Sequence, residues 1–66
     1  MSQGEQLLDV LHKLGVSEIH FEKFMSQEIT LYDLFLLTKS DLQELGLPIG
    51  ARNRVLAFQK VYKDES

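Results

Sequence analysis

Few side chains in this sequence could do chemistry, and their spacing keeps them apart. His12 and His20 stand eight positions apart on what read as different helices, and no carboxylate is spaced to complete a metal site with either. His12 falls on the solvated side of the first helix, and His20 at a surface or boundary position early in the second. Ser17, Thr30 and Thr38 each precede a predicted helix, where a hydroxyl accepts a backbone N–H, so capping accounts for all three without a nucleophile. There is no cysteine, which removes disulfides and thiolate metal sites. Gly46 and Gly50 lack the spacing and flanking residues of a phosphate-binding loop. No catalytic constellation, cofactor cradle or metal site assembles from these residues, and a non-catalytic chain is expected.

Charge is the remaining chemistry. The net charge of −3 conceals a partition. Residues 18–44 hold Glu18, Glu22, Glu28, Asp33, Asp41 and Glu44 against Lys23 and Lys39, a balance of −4. Residues 50–63 hold Arg52, Arg54, Lys60 and Lys63 and no acid, a balance of +4. An acidic middle and a basic end on one chain bear on association with other molecules, not on fold.

The elements that must carry these charges read as helices, with no alternating strand pattern. Leu7, Val10, Leu11 and Leu14 recur at i, i+3, i+4 and i+7, which predicts a helix over 5–14, and Gly15 suits the left-handed position that stops it. Ser17 caps a second predicted helix over 17–26, with Glu18 complementing its positive end. Phe21, Phe24 and Met25 form its buried face, with Ile19 beside them. Residues 27–29 are a short connection. Thr30 opens a brief third helix with Asp33 at the capping-box position, and Leu31, Leu34 and Phe35 face inward. Thr38 and Asp41 open a fourth, on which Leu42 and Leu45 share a face. Gly46 ends it through a positive φ, and Pro48 forbids continuation. Gly50 reads as a second tight turn. A longer helix then begins near Ala51 and carries Ala51, Val55, Phe58 and Tyr62 on one stripe, widened by Leu56. The elbow Leu47-Pro48-Ile49 is too apolar for a solvated loop and is expected to plug the core. The expected core is Leu11, Leu14, Phe24, Leu34, Leu42, Leu45, Leu47, Val55 and Phe58.

Sixty-six residues make a single small domain, with 5–63 as its ordered part and residues 1–4 and 64–66 as trimmed ends of a larger protein. A chain of this size buries about 60% of its unfolded surface, so a stability of roughly 10 kcal/mol or less rests on apolar packing. A hydrophobic content of 44% without tryptophan suits a helical core built on leucine. No apolar run approaches the roughly 18 residues of a membrane span, and no signal-peptide pattern opens the chain. A soluble cytoplasmic or nuclear module with no membrane partner is expected. The expected fold class is all-α, a compact five-helix bundle with a longer C-terminal helix.

The stretch from residue 14 to residue 62 resembles a SAM (sterile alpha motif) domain. The resemblance is carried by Leu14-Gly15-Val16, by Phe24 followed by Glu28-Ile29-Thr30, and by residues 34–38. It continues through Asp41-Leu42-Gln43-Glu44-Leu45-Gly46-Leu47 and through Gly50 and Arg52 leading to Val55-Leu56. The order and spacing of these segments are stronger than any one of them. The sequence departs from the family in three places. Val10 or its neighbour replaces an aromatic common late in the first helix. The segment between Gly15 and Phe24 is one residue longer than usual. Gln59 stands where the last helix often has an aliphatic residue, with Phe58 taking over the packing.

The resemblance implies a protein-interaction module without catalytic activity or cofactor, whose partner is another SAM domain, either self or heterotypic. Carried over by position, the basic surface at the start of the last helix comprises Gly50, Arg52, Asn53 and Arg54. The acidic mid-region surface comprises Glu22, Glu28, Asp33, Asp41 and Glu44. Unlike patches on one chain make a heterologous contact that does not close as a dimer, so a head-to-tail homo-oligomer is expected. The alternative is nucleic-acid binding through the basic last helix. Some SAM domains resemble RNA stem-loop binders, and residues 45–58 resemble a helix-hairpin-helix that grips DNA backbone. The negative net charge, the split of the cations between the two ends of the last helix, and the single glycine Gly50 where two are usual weigh against it.

Overall fold

Local hydrogen-bonding devices decide where most of the helices start and stop. The computed structural model describes the backbone of residues 3–65 and the side chains of residues 5–62. Its elements are α1 (Gln3–Lys13), a 3-10 turn (Glu18–His20), α2 (Phe21–Ser26), α3 (Leu31–Leu34), α4 (Lys39–Glu44) and α5 (Ile49–Glu65). No strand occurs among the described residues, so the chain is an all-α bundle of five helices with the longest last. Its Cα radius of gyration of 11.0 Å matches the roughly 11 Å of a compact domain of this length. The side chains of the terminal stretches expected to be trimmed, and that of Lys63, lie outside the described residues.

Two helices open on capping boxes. The Thr30 backbone N–H donates to Asp33 Oδ2 at 3.0 Å while the Asp33 N–H donates to Thr30 Oγ1 at 3.3 Å. Thr38 and Asp41 repeat the arrangement at 3.0 and 3.1 Å. Each satisfies donors that the first turn of a helix leaves without partners.

Left-handed residues close three helices. Gly15 and Gly46 have φ of +77° and +83°, and Glu28 has +56°. The N–H of each donates to a carbonyl three residues back, and the following N–H returns to one five residues back: Val16 to Leu11, Ile29 to Phe24, Leu47 to Leu42. This is the Schellman closure, in which the residue after the left-handed one packs against the helix it has just left. Val16 and Leu47 are thereby turned into the core.

The core joins Leu7, Leu11, Val16, Phe24, Leu34, Leu42, Leu45, Leu47, Ala51 and Val55. Leu14 and Phe58, expected within it, are partly buried and pack against its rim. Ile19 and Met25 are 81% and 48% exposed, against expectation. Residues 18–20 wind as a tight 3-10 turn, with a different angular step from an α-helix, so the apolar positions around them do not share one face. The elbow also divides. Leu47 is buried, whereas Ile49 is 67% exposed. The reason is that α5 begins at Ile49, before Ala51, with the Arg52 N–H donating to the Pro48 carbonyl. Gly50 lies inside that first turn without a positive φ, so it makes no second tight turn.

The far half of α5 packs in two ways. Phe35, Phe58 and Tyr62 form an aromatic group, with ring centroids 5.3 Å apart for Phe35 and Phe58 and 4.7 Å for Phe58 and Tyr62. Gln59, the residue in a usually aliphatic position, is itself buried. Its Nε2 donates to the Leu34 carbonyl at 2.6 Å and the Leu37 carbonyl at 2.9 Å, satisfying acceptors at the end of α3. Phe58 has not displaced it.

Candidate functional site

The capping boxes also place charge. Because Asp33 and Asp41 occupy the third positions of α3 and α4, both carboxylates stand at helix starts. The left-handed stop of α2 brings Glu28 beside them, and Glu44 is the last residue of α4. These four line one open groove of about 590 Å³, whose apolar wall is Ile29, Leu36, Leu37 and Leu45. Lys23 is the one cation on its edge. Glu22 is exposed on α2 and does not line the groove.

The four acids are not equivalent. Asp33 and Asp41 each hold a backbone N–H in their own cap. The Glu28 and Glu44 side chains make no hydrogen bond or ion pair among the described residues. A groove of this kind offers negative potential over an apolar floor, which suits a cation carried next to an apolar side chain. Among the described residues no group of three or more His, Asp or Glu is placed to hold a metal ion.

At the other pole, Gly50, Arg52, Asn53 and Arg54 all fall in the first two turns of α5, but they do not form one patch. Positions 52 and 54 lie about 200° apart around a helix. The Arg54 guanidinium turns back to the end of α1, donating through Nε to the Leu14 carbonyl and through Nη2 to the Gly15 carbonyl at 3.2 Å. It therefore satisfies acceptors that α1 leaves open. A Cβ on Gly50 would stand 3.3 Å from Arg54 Nη1, so the glycine leaves room for that reach. Arg52 and Asn53 share the remaining face with Ile49, being three and four residues beyond it. The Arg52 side chain has no hydrogen-bond or ion-pair partner among the described residues. Ile49 joins this pole through its exposure, which an apolar elbow in the sequence had concealed.

No family model matches the chain, and no solved structure matches it. The chain is similar to human triacylglycerol hydrolase DDHD2, at 36% identity over 66 residues, 97% of this chain and 9% of that protein. It is similar also to human SEC23-interacting protein, at 35% identity over 52 residues, 79% of this chain and 5% of that protein. The chain thus spans less than a tenth of the length of either relative. No helix among the described residues is long and apolar enough to cross a membrane.

Proposed function

We propose that this chain is a SAM-type, non-catalytic protein-interaction module within a larger protein. It associates with a second SAM domain, another copy of itself before a heterotypic partner, by setting the start of α5 against the acidic groove. The observation that supports this reading is the convergence of Glu28, Asp33, Asp41 and Glu44 on one apolar-walled groove, with an Arg52 side chain that has no partner among the described residues. The similarity to short stretches of two much longer proteins supports a module attached to other domains. Nucleic acid is the weaker partner, because Arg54 is engaged in holding α1 and few cations remain free for phosphates.

Sedimentation over a concentration and salt series tests it. Self-association is expected at 0.1 M salt and should weaken towards 1 M, as the Debye length falls from about 10 Å to about 3 Å. Arg52→Glu should leave a folded monomer with an intact groove. Glu44→Lys should leave a folded monomer with an intact basic pole, and it spares the capping box that Asp41→Lys would break. Mixing the two restores one contact and stops at a heterodimer, which a symmetric interface would not do. A wild type that stays monomeric at high concentration in low salt overturns self-association and directs the same variants to heterotypic SAM partners. A gel shift with stem-loop RNA or duplex DNA at physiological salt would overturn the choice of partner class.

A further inference from the structure

We infer that a second groove, between the end of α1 and the outer face of α5, docks an amphipathic partner segment that carries carboxylates beside its aliphatic side chains. Arg54, Ala57, Phe58 and Val61 stand at i, i+3, i+4 and i+7 along α5 and so share one stripe. The stripe that enters the core, through Ala51 and Val55, is a different one. With Lys13 and Leu14 at the end of α1, these four residues line an open groove of about 340 Å³. Val61 is 53% exposed, Ala57 is exposed, and Leu14 and Phe58 are only partly buried. Apolar carbon therefore stays in water along two turns of α5. Charge complementarity commits the occupant. The charged groups lining the groove are Lys13 and Arg54, both cations. Lys60, exposed three positions beyond Ala57, adds a third at its edge. Arg54 donates its hydrogen bonds to the Leu14 and Gly15 carbonyls, but these acceptors are uncharged, so the guanidinium keeps its positive charge at the groove wall. Lys13 is paired with Asp9 at 3.1 Å, and both side chains are half exposed or more. Such a pair contributes so little in water that a better placed carboxylate displaces it. A membrane surface fits less well. Adsorption to anionic lipid takes a cluster of basic residues, whereas this is a recess with two cations in a chain of net charge −3. Neither Arg52 nor any residue of the acidic groove lines this one, so the inference goes beyond self-association and does not rest on it.

The test uses the whole chain carrying Arg52→Glu, which removes self-association and leaves this groove unaltered. The probes are two synthetic helical peptides with leucine at i, i+3, i+4 and i+7, one with glutamate and the other with lysine beside the leucines. The glutamate peptide is expected to shift the amide resonances of Leu14, Ala57 and Val61, and the lysine peptide to leave them in place. Val61→Glu, at an exposed site that should keep the helical signal, is expected to weaken the glutamate peptide about 10-fold or more, since it sets a charge in the apolar contact. Lys13→Ala should weaken it about threefold at low salt, with the difference fading towards about 1 M. Leu36→Ala, in the acidic groove, should change nothing. The inference is overturned if the glutamate peptide leaves those amides unmoved, or if the lysine peptide moves them equally. It is overturned also if Val61→Glu binds within about twofold of its parent. Vesicles of phosphatidylcholine and phosphatidylserine that bind through Val61 where the glutamate peptide does not would overturn the choice of a protein partner.

Discussion

The corner at Gly46 and the corner at Glu28 share a backbone and differ in residue. Both end a helix in the left-handed region and send the next N–H back to a carbonyl five residues earlier. At Gly46 the conformation costs little, and a Cβ there would meet nothing within 4 Å. At Glu28 a side chain is held in a conformation that costs a non-glycine residue about 1–2 kcal/mol. What each corner delivers also differs. Leu47 goes into the core, whereas Ile29 is only partly buried and lines the groove with Glu28 itself. One corner serves packing alone; the other accepts a small strain and sets a carboxylate and an apolar side chain side by side on the surface proposed to bind.

The largest contrast between them lies in the delivered side chains. Leu47→Ala should cost about 2–5 kcal/mol in urea denaturation, a large part of the total, and Ile29→Ala clearly less. Equal losses would erase the distinction between a packing corner and a surface corner. Next in size is Gly46→Val, expected to lose about 2–3 kcal/mol through backbone strain alone, because space is not the obstacle. A thermal melt within a degree or two of wild type would mean that the corner tolerates a β-branched residue. The end of α3 sharpens the comparison, since it has no left-handed residue and relies on Gln59 reaching across. Gln59→Leu should cost about 1–3 kcal/mol by leaving the Leu34 and Leu37 carbonyls without their donor. A neutral melt would show that water can replace the amide. The smallest effect, and the only favourable one, is Glu28→Gly. It should raise stability by up to about 1 kcal/mol as the strain is relieved, while sedimentation shows weaker self-association. A less stable variant would mean that the glutamate side chain makes up for its backbone.

The parts of this fold that were legible in the sequence are those written within four or five residues. Thr30 with Asp33 and Thr38 with Asp41 announce their boxes because both partners lie in one turn, and Gly15 and Gly46 announce their stops by lacking a side chain. The Leu7, Leu11 and Val55 positions followed from helical period. Glu28 was not legible as a stop, because the Schellman closure is a backbone pattern and glutamate carries no left-handed preference. Ile19 and Met25 were misplaced because three residues of 3-10 turn change the angular step. Gln59 and Arg54 were out of reach for another reason, their partners lying 22 to 40 residues away. The groove was legible as a run of acids but not as an enclosure, since its apolar wall is assembled from Ile29 before α3, Leu36 and Leu37 between α3 and α4, and Leu45 after α4. Glu22 belongs to the run and not to the enclosure.

The hydrogen bonds from Arg54 to the end of α1 have a consequence for how the chain is made. Synthesis runs from the N-terminus, so α1 leaves the ribosome well before its partner exists: the carbonyls of Leu14 and Gly15 precede the guanidinium by 40 and 39 residues. Until α3 emerges, the first helix is a short segment of marginal helicity; α3 then gives it a packing partner, while the carbonyls at its end wait for Arg54. The two ends of the fold are thus tied together only once α5 has been added.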